Sequence, residues 1–143
     1  MQFELLTLSG VKWRGEAASV QLTTFDGQMG ILPHHEPFIG ALKGGPVVVR
    51  PKQGSEQVFA TYGGLLEVTP EHVRVLADEA DLADELVESE IEAALKRAHE
   101  LRAAAKDKVA LADAEALIDR AQVRLGVARL ARHHRPRPDR PGQ

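Results

Sequence analysis

A chain of 143 residues, 43% apolar and 27% charged, is enough for one ordinary domain or two small ones, and this composition argues against wholesale disorder. It has no cysteine, which removes disulfide frameworks, thiolate metal sites and cysteine nucleophiles, and its net charge of −3 singles out no class of partner. The opening Met1-Gln-Phe-Glu-Leu-Leu6 lacks the basic and apolar regions of a signal peptide. No apolar run reaches the ~18 residues of a spanning helix, so membrane contact is expected only through a partner.

From Met1 to about Asp78 the apolar residues alternate: Phe3 with Leu5, Ala18 with Val20 and Leu22, Val58 with Ala60 and Tyr62, Val73 with Val75. This is the period of half-buried strands. Turn signals at Asp26-Gly27, Gly44-Gly45-Pro46, Pro51 to Ser55, Gly63-Gly64 and Thr69-Pro70 separate the runs, and short strands so spaced predict an antiparallel β-sandwich over residues 1–78. Within it, Gly27 to Pro37 reads Gly-Gln-Met-Gly-Ile-Leu-Pro-His-His-Glu-Pro. Two glycines, which tolerate positive φ, and two prolines, which fix φ, predict one rigid bend presented at the surface. Gly63-Gly64 is too short for a phosphate loop and predicts a bulge or a close backbone approach.

After Asp78 no proline or glycine occurs until Gly126, and the apolar spacing lengthens to Leu82, Leu86, Ile91, Leu95, Ala98 and Leu101. This predicts one helix with Asp81 as its N-cap. A second stripe, Leu111, Ala114, Leu117, Ile118, Ala121, Leu125 and Ala128, predicts another, the break falling between Lys106 and Ala110 and the pair folding back as an antiparallel hairpin over residues 79–134. Thirteen of the forty residues from Ala93 to Arg132 are alanine, which buries little area but has the best helix propensity. The hairpin is therefore expected to undock while staying helical. Gly126 inside the second helix is expected to allow close packing or a bend. The remaining residues, 135–143, alternate arginine with proline and predict a solvated tail. The overall expectation is an α+β protein, a sandwich followed by a two-helix hairpin.

Two segments together resemble a known family. Gly27-Gln-Met-Gly-Ile-Leu-Pro-His-His-Glu-Pro37 is similar to the Gly-x-x-Gly-Ile-x-Pro-x-His-x-Pro segment of the epsilon subunit of bacterial and chloroplast rotary F-type ATP synthases. Gly63-Gly-Leu-Leu-Glu-Val68, followed by Val73-Arg-Val-Leu-Ala-Asp78, looks like the family's Gly-Gly-x-x-Glu-Val and Val-x-Val-Leu-Ala-Asp signature. The resemblance implies a non-catalytic rotor subunit of the central stalk, on the cytoplasmic face of the bacterial plasma membrane. Its sandwich would grip the gamma subunit and sit on the membrane c-ring. Its hairpin would restrain ATP hydrolysis when extended toward the beta and alpha subunits.

The same resemblance points to residues. Gln28, Met29, His34 and His35 would face the ring, with Gln28 where several relatives carry glutamate. Residues Asp78 to Glu92 hold eight carboxylates and no basic residue, whereas Arg120 to Arg140 holds seven arginines and one aspartate. Arg124, Arg129 and Arg132 would meet an acidic segment of the catalytic head, and the acidic first helix would hold the same arginines in the docked hairpin. Some relatives bind regulatory ATP in the hairpin. Here Arg120-Ala-Gln-Val-Arg124 matches the second half of that motif, but Val87 and Glu90 stand where an aspartate and an arginine belong, so no cofactor is expected.

Other chemistries find little support. His34-His35 and His133-His134 are adjacent pairs whose side chains diverge, without a companion carboxylate or thiolate cluster, so no metal is expected. Ser19, Ser55 and Ser89 lie in no nucleophile motif, and an enzyme is not expected. The alternative is a binding module using the basic helix and tail on nucleic acid or an acidic protein. With four Phe, one Tyr and one Trp, stacking platforms for bases are scarce, and nucleic acid is not expected.

Overall fold

The computed structural model describes residues 1–134. In chain order these form β1 (Gln2–Thr7), β2 (Gly10–Thr24), β3 (Gly27–Ile31), β4 (Phe38–Leu42), β5 (Gly45–Pro51), β6 (Gln57–Thr61), β7 (Gly64–Val68), β8 (His72–Ala77), β9 (Ala80–Leu82), a single tight helical turn (Ala83–Glu85), α1 (Glu88–Ala104) and α2 (Lys108–His134). The expected tail at 135–143 lies outside the described residues.

The strands pair in the order β1-β8-β7-β4-β2-β5-β6-β9, with β3 on β2 and a further β1–β2 pairing that closes the structure on itself. All pairs are antiparallel but β1 with β8, which run parallel with Phe3 beside Val73 and Leu5 beside Val75. Alternate residues point inward and are buried: Phe3, Leu5, Val20, Leu22, Val47, Val49, Leu66, Val68, Val73 and Val75 form one core with Ile31 and Phe59. The Trp13 ring lies 5.6 Å from that of Phe3 and covers one end of it.

Three local expectations need correction. Residues 80–82 are strand β9, paired with Phe59 to Thr61 of β6. Pairing there satisfies the backbone of an otherwise open β6 edge, which outweighs local helix propensity. Asp81 is thus in a strand rather than at a helix N-terminus, Leu82 packs against the sandwich core, and α1 begins at Glu88 behind Val87 with no side-chain cap. Second, Gly27 to Pro37 is not one bend. Gly27 to Ile31 is extended beside Val20 to Thr24 of β2, and the sharp turn is confined to Leu32-Pro33-His34-His35, where the His35 N–H donates to the Leu32 carbonyl at 3.1 Å. Proline second and a positive φ of 67° at His34 third is the pattern of a type II turn, in which a histidine costs on the order of 1 kcal/mol relative to glycine. Third, Gly126 permits no close packing: a Cβ there would meet nothing within 4 Å.

The helical break falls where expected. α1 stops at Ala104, and the Asp107 carboxylate accepts the Ala110 N–H at 2.8 Å, capping the first turn of α2. The two helices then meet through Ile91, Ala121 and Ala128, with Leu95 and Leu125 beside them. Only α2 packs broadly on the sandwich, on β5, β6 and the tight turn, where Val127 and Ala131 bury against Val58, Ala60 and Ala83. These side chains are small, so the seam is thin.

Gly64 fulfils the expected close approach: at φ 149° its added Cβ would collide with the Leu76 carbonyl and Ala77 Cα. Gly64→Ala is expected to destabilise the sandwich by on the order of 3 kcal/mol through steric overlap and strain. Gly126→Ala is expected to stabilise the chain by about 1 kcal/mol, since helix propensity rises and nothing clashes. Thermal and denaturant unfolding of the two variants check both signs.

Candidate functional site

A polar node joins the sandwich to α2. Tyr62 follows β6, Glu79 and Asp81 lie in and before β9, and Arg120 and Arg124 stand one turn apart on α2. The Tyr62 hydroxyl donates to Asp81 Oδ2 at 2.6 Å and accepts from Arg124 Nε at 2.7 Å. Arg124 Nη2 also reaches Asp81 Oδ2 at 3.1 Å, while Arg120 Nη1 pairs with Glu79 Oε2 at 2.7 Å. Both guanidiniums stack on the Tyr62 ring, at 4.8 Å for Arg120 and 5.4 Å for Arg124. Burial, reinforced by the hydrogen bond to Asp81, pushes the Tyr62 phenol well above its ordinary range. Burial works against the Arg124 charge, yet the Tyr62 and Asp81 contacts outweigh it and the net shift is upward. A donor chain running guanidinium to phenol to carboxylate is cooperative, and half-burial makes it stronger than a surface pair.

The remaining arginines of α2 also pair with the acidic stretch. Arg129 lies 3.5 Å from Glu92, and Arg132 lies 3.1 Å from Glu88. These pairs are more exposed and contribute ~0.2–1 kcal/mol each. Of the arginines expected on the acidic first helix, Arg129 and Arg132 are held by α1, whereas Arg124 is held with Arg120 by the sandwich, because pairing with β6 draws Asp81 into β9 and out of the helix.

The histidines and their companions separate. Gln28 and Met29 sit at the start of β3, beside a cleft of about 290 Å³ that also includes Arg50, Glu56 and Leu130. His34 and His35 follow the other end of the strand, and His35 Nδ1 is 2.7 Å from the Glu36 carbonyl. Among the described residues no group of three His, Asp or Glu side chains could hold a metal. A second cavity, about 390 Å³ between the helices, is lined by Arg97, Arg120 and Arg124 but also by Glu85 and Glu90. The ATP half-motif thus faces carboxylates, and both of its arginines are already paired. A larger, apolar groove of about 1210 Å³ runs between α2 and the β4–β5 turn, with Val123, Gly126 and Pro46 on its walls.

One surface feature escaped the sequence reading. On the outer face of β2, β1, β8, β7 and β4, Val11 lies beside Leu6, Leu6 beside Leu76, Leu76 beside Leu65 and Leu65 beside Ala41. Ile39, two residues along β4, is 79% exposed, and Leu65 and Leu76 are about half exposed. Beside this apolar row runs a charged one in which Glu4 pairs with both Arg14 and Arg74. The signal was present as doublets: Leu5-Leu6, Leu65-Leu66 and Val75-Leu76 put apolar side chains on both faces of a strand.

The beta-sandwich domain of the ATP synthase Delta/Epsilon chain matches residues 1–83. The chain is 37% identical over 133 residues to the ATP synthase epsilon chain of Herpetosiphon aurantiacus, covering 93% of this chain and 97% of that one. It belongs to the ATP synthase delta/epsilon family. A second epsilon chain, from Teredinibacter turnerae, is 49% identical over 75 residues, or 52% of this chain and 53% of that one. By shape the chain is similar to one in the Euglena gracilis mitochondrial ATP synthase OSCP/F1/c-ring structure, with a TM-score of 0.75 at 21% identity over 92% of this chain and 80% of that one. It is also similar to one in the Tetrahymena thermophila central stalk/c-ring structure, at 0.61 and 14% over 90% and 96%. The family likeness makes this a non-catalytic chain of the synthase.

Tyr62 is the sole tyrosine, so its titration can be followed by absorbance without ambiguity. Its folded-state value is raised, so the contribution to docking is complete below the unfolded value of about 10 and is lost as pH climbs toward the higher folded value. Tyr62 is expected to titrate above 10 in the full chain, and lower after Asp81→Asn, which removes the carboxylate that helps burial to raise it. An unshifted midpoint in the full chain would contradict the node.

Proposed function

We propose that the chain is the central-stalk subunit that joins the membrane c-ring to the catalytic head through the gamma subunit, and that its hairpin restrains ATP hydrolysis. Membership of the epsilon chains supports the rotor role. The observation that carries the partner assignment is the apolar row Val11, Leu6, Leu76, Leu65 and Ala41 with Ile39, left open on a sandwich face formed by strands other than the β5 and β6 on which α2 packs. A row of this extent across five strands needs a partner, and gamma is the one we assign to it. Gln28, Met29, His34 and His35 are the ring-facing candidates; their separation along β3 makes them two contacts rather than one.

The described residues contain no helix long and apolar enough to cross a membrane. The chain would therefore reach the cytoplasmic face of the bacterial plasma membrane only as part of the complex. Arg124, Arg129 and Arg132 are the candidates for an acidic segment of the beta or alpha subunits. Regulatory ATP is not part of this reading: Glu79 and Asp81 occupy Arg120 and Arg124, and Glu90 would repel a phosphate. The same pairing argues against nucleic acid, since each described arginine of α2 already faces a carboxylate.

Tagged gamma subunit is expected to co-purify the full chain and to lose it, by about a hundredfold or more in affinity, when Leu65→Asp and Leu76→Asp are combined. Retained binding by a folded double variant would remove this face from the interface. In the assembled synthase, a stop after Glu85 is expected to raise ATP hydrolysis; equal rates would leave assembly intact and remove the restraint.

A further inference from the structure

Helix α2 carries one residue that the rest of the described chain leaves unexplained. Glycine is among the least favourable choices inside a helix, yet Gly126 is exposed and packs on nothing: a Cβ there would meet no atom within 4 Å. What it borders is the apolar groove of about 1210 Å³ beside α2. Val123, Gly126 and Leu130 form its helical wall, and Lys43, Gly44 and Pro46 of the β4–β5 turn stand on the other side. Glycine at 126 keeps this channel open where a side chain would narrow it.

The charges on the walls narrow the choice of occupant. Asp113 and Asp119 are exposed on α2 and Lys43 is exposed on the turn, and among the described residues none of the three has an ion-pair partner, whereas Arg120 is held by Glu79. The groove thus suits an extended segment with an apolar back, cations toward α2 and an anion toward the turn. Directly behind α2 the chain reads Arg135-Pro-Arg-Pro-Asp-Arg-Pro-Gly-Gln143. In a polyproline ribbon, with three residues per turn, Pro138 and Pro141 share one face, Arg137 and Arg140 the next, and Asp139 lies on the third. The lengths agree as well. Val123, 3.5 Å from where a Gly44 Cβ would stand, lies about 16 Å back along α2 from His134, and Asp119 about 22 Å. At about 3.1 Å per residue the ribbon carries Asp139 some 16 Å and Arg140 some 19 Å, and the long side chains of Lys43 and Arg140 span the step sideways off the helix.

We propose that the groove between α2 and the β4–β5 turn is a binding site for a basic, proline-rich peptide, and that the chain fills it with its own residues 135–143, folded back over Leu130 and Val123. Pro138 and Pro141 lie on the floor at Gly126, Arg140 pairs with Asp119, and Asp139 pairs with Lys43. Each contact is weak, since the ion pairs are exposed. Tethering compensates: a segment that starts one helical turn beyond the groove is presented to it at millimolar effective concentration, and its prolines lower the entropy lost on ordering. The sequence departs here from an ordinary solvated end, in that its charges alternate in the order the two walls require.

The absence of cysteine lets one nitroxide be placed at Gln143→Cys of the full chain. Its paramagnetic broadening is expected to fall on the amides of Gly44, Gly45 and Val123 and to spare β1 and β8. Asp119→Lys is expected to remove most of that broadening, and combining it with Arg140→Glu to restore it. Gly126→Leu, which places a side chain in the channel itself, is expected to abolish it by another route. A chain ending at His134 is expected to bind an apolar fluorescent dye about tenfold more tightly than the full chain, and the free nine-residue peptide to displace that dye, more weakly at high salt. Unchanged amide spectra of the sandwich core show that each variant is folded. Broadening that is absent, or that centres on residues 78–92, overturns the proposal, the second result assigning the tail to the acidic stretch by charge alone. Broadening that survives both Asp119→Lys and Gly126→Leu overturns it too, as does equal dye binding by the full and shortened chains.

Discussion

Strand β2 sets the geometry on which everything else rests. Its first half pairs with β1, its second half pairs with β3 and β5, and its last residue, Thr24, reaches Leu42 of β4. Fifteen residues in one extended run are more than a single small sheet needs, and the register breaks between Ala17 and Ser19, where the strand passes from one set of neighbours to the other. One continuous backbone thus serves both layers. It fixes β5, and through β5 also β6, as the floor under α2, and with Val11 it begins the row that crosses β1 and ends at Ala41. The thin helical seam and the exposed apolar face are two outcomes of a single crossing.

Much of this was legible before any coordinates. Alternation located the sandwich strands, punctuation by glycine and proline located their ends, and the break between the helices was placed within residues 106–110. The exceptions share a physical cause. Asp81 ahead of an apolar spacing carries the local signature of a helix cap, but its strand is decided by β6, some twenty residues earlier in the chain, through pairing that no local pattern displays. Likewise the spacing of Gly27 and Pro37 announced a turn without saying that β2 would hold five of those residues straight. The charge complementarity of the acidic and basic stretches was visible; its division between sandwich and α1 was not, because that division follows from which carboxylates β9 removes from the helix. Tyr62 gave no signal at all, being one apolar position among others in an alternating run.

The division matters for how regulation and architecture are kept apart. The face proposed for gamma uses β1, β2, β4, β7 and β8; the hairpin uses β5, β6 and the turn at Ala83–Glu85. On the proposed reading, in which the subunit stays attached while its helices move, these surfaces have to lie on different strands. The charges are spread in the same manner. Glu4 and Glu67 balance Arg14 and Arg74 beside the apolar row, so that face presents little net field, whereas the pairs at the hairpin lie partly in solvent where ionic strength can weaken them.

The dependence of α1 on α2 carries a temporal meaning as well. All nine described strands are complete by Leu82, so the sandwich can close as soon as that residue has been synthesised and has left the ribosome. α1 follows with Ile91, Leu95 and Ala98 along one side and no strand to cover them. It must wait for Ala121, Leu125 and Ala128 of a helix not yet made. Attachment to a rotor partner and completion of the hairpin are therefore separable events in the life of the chain, and the order in which they occur is written in which helix comes last.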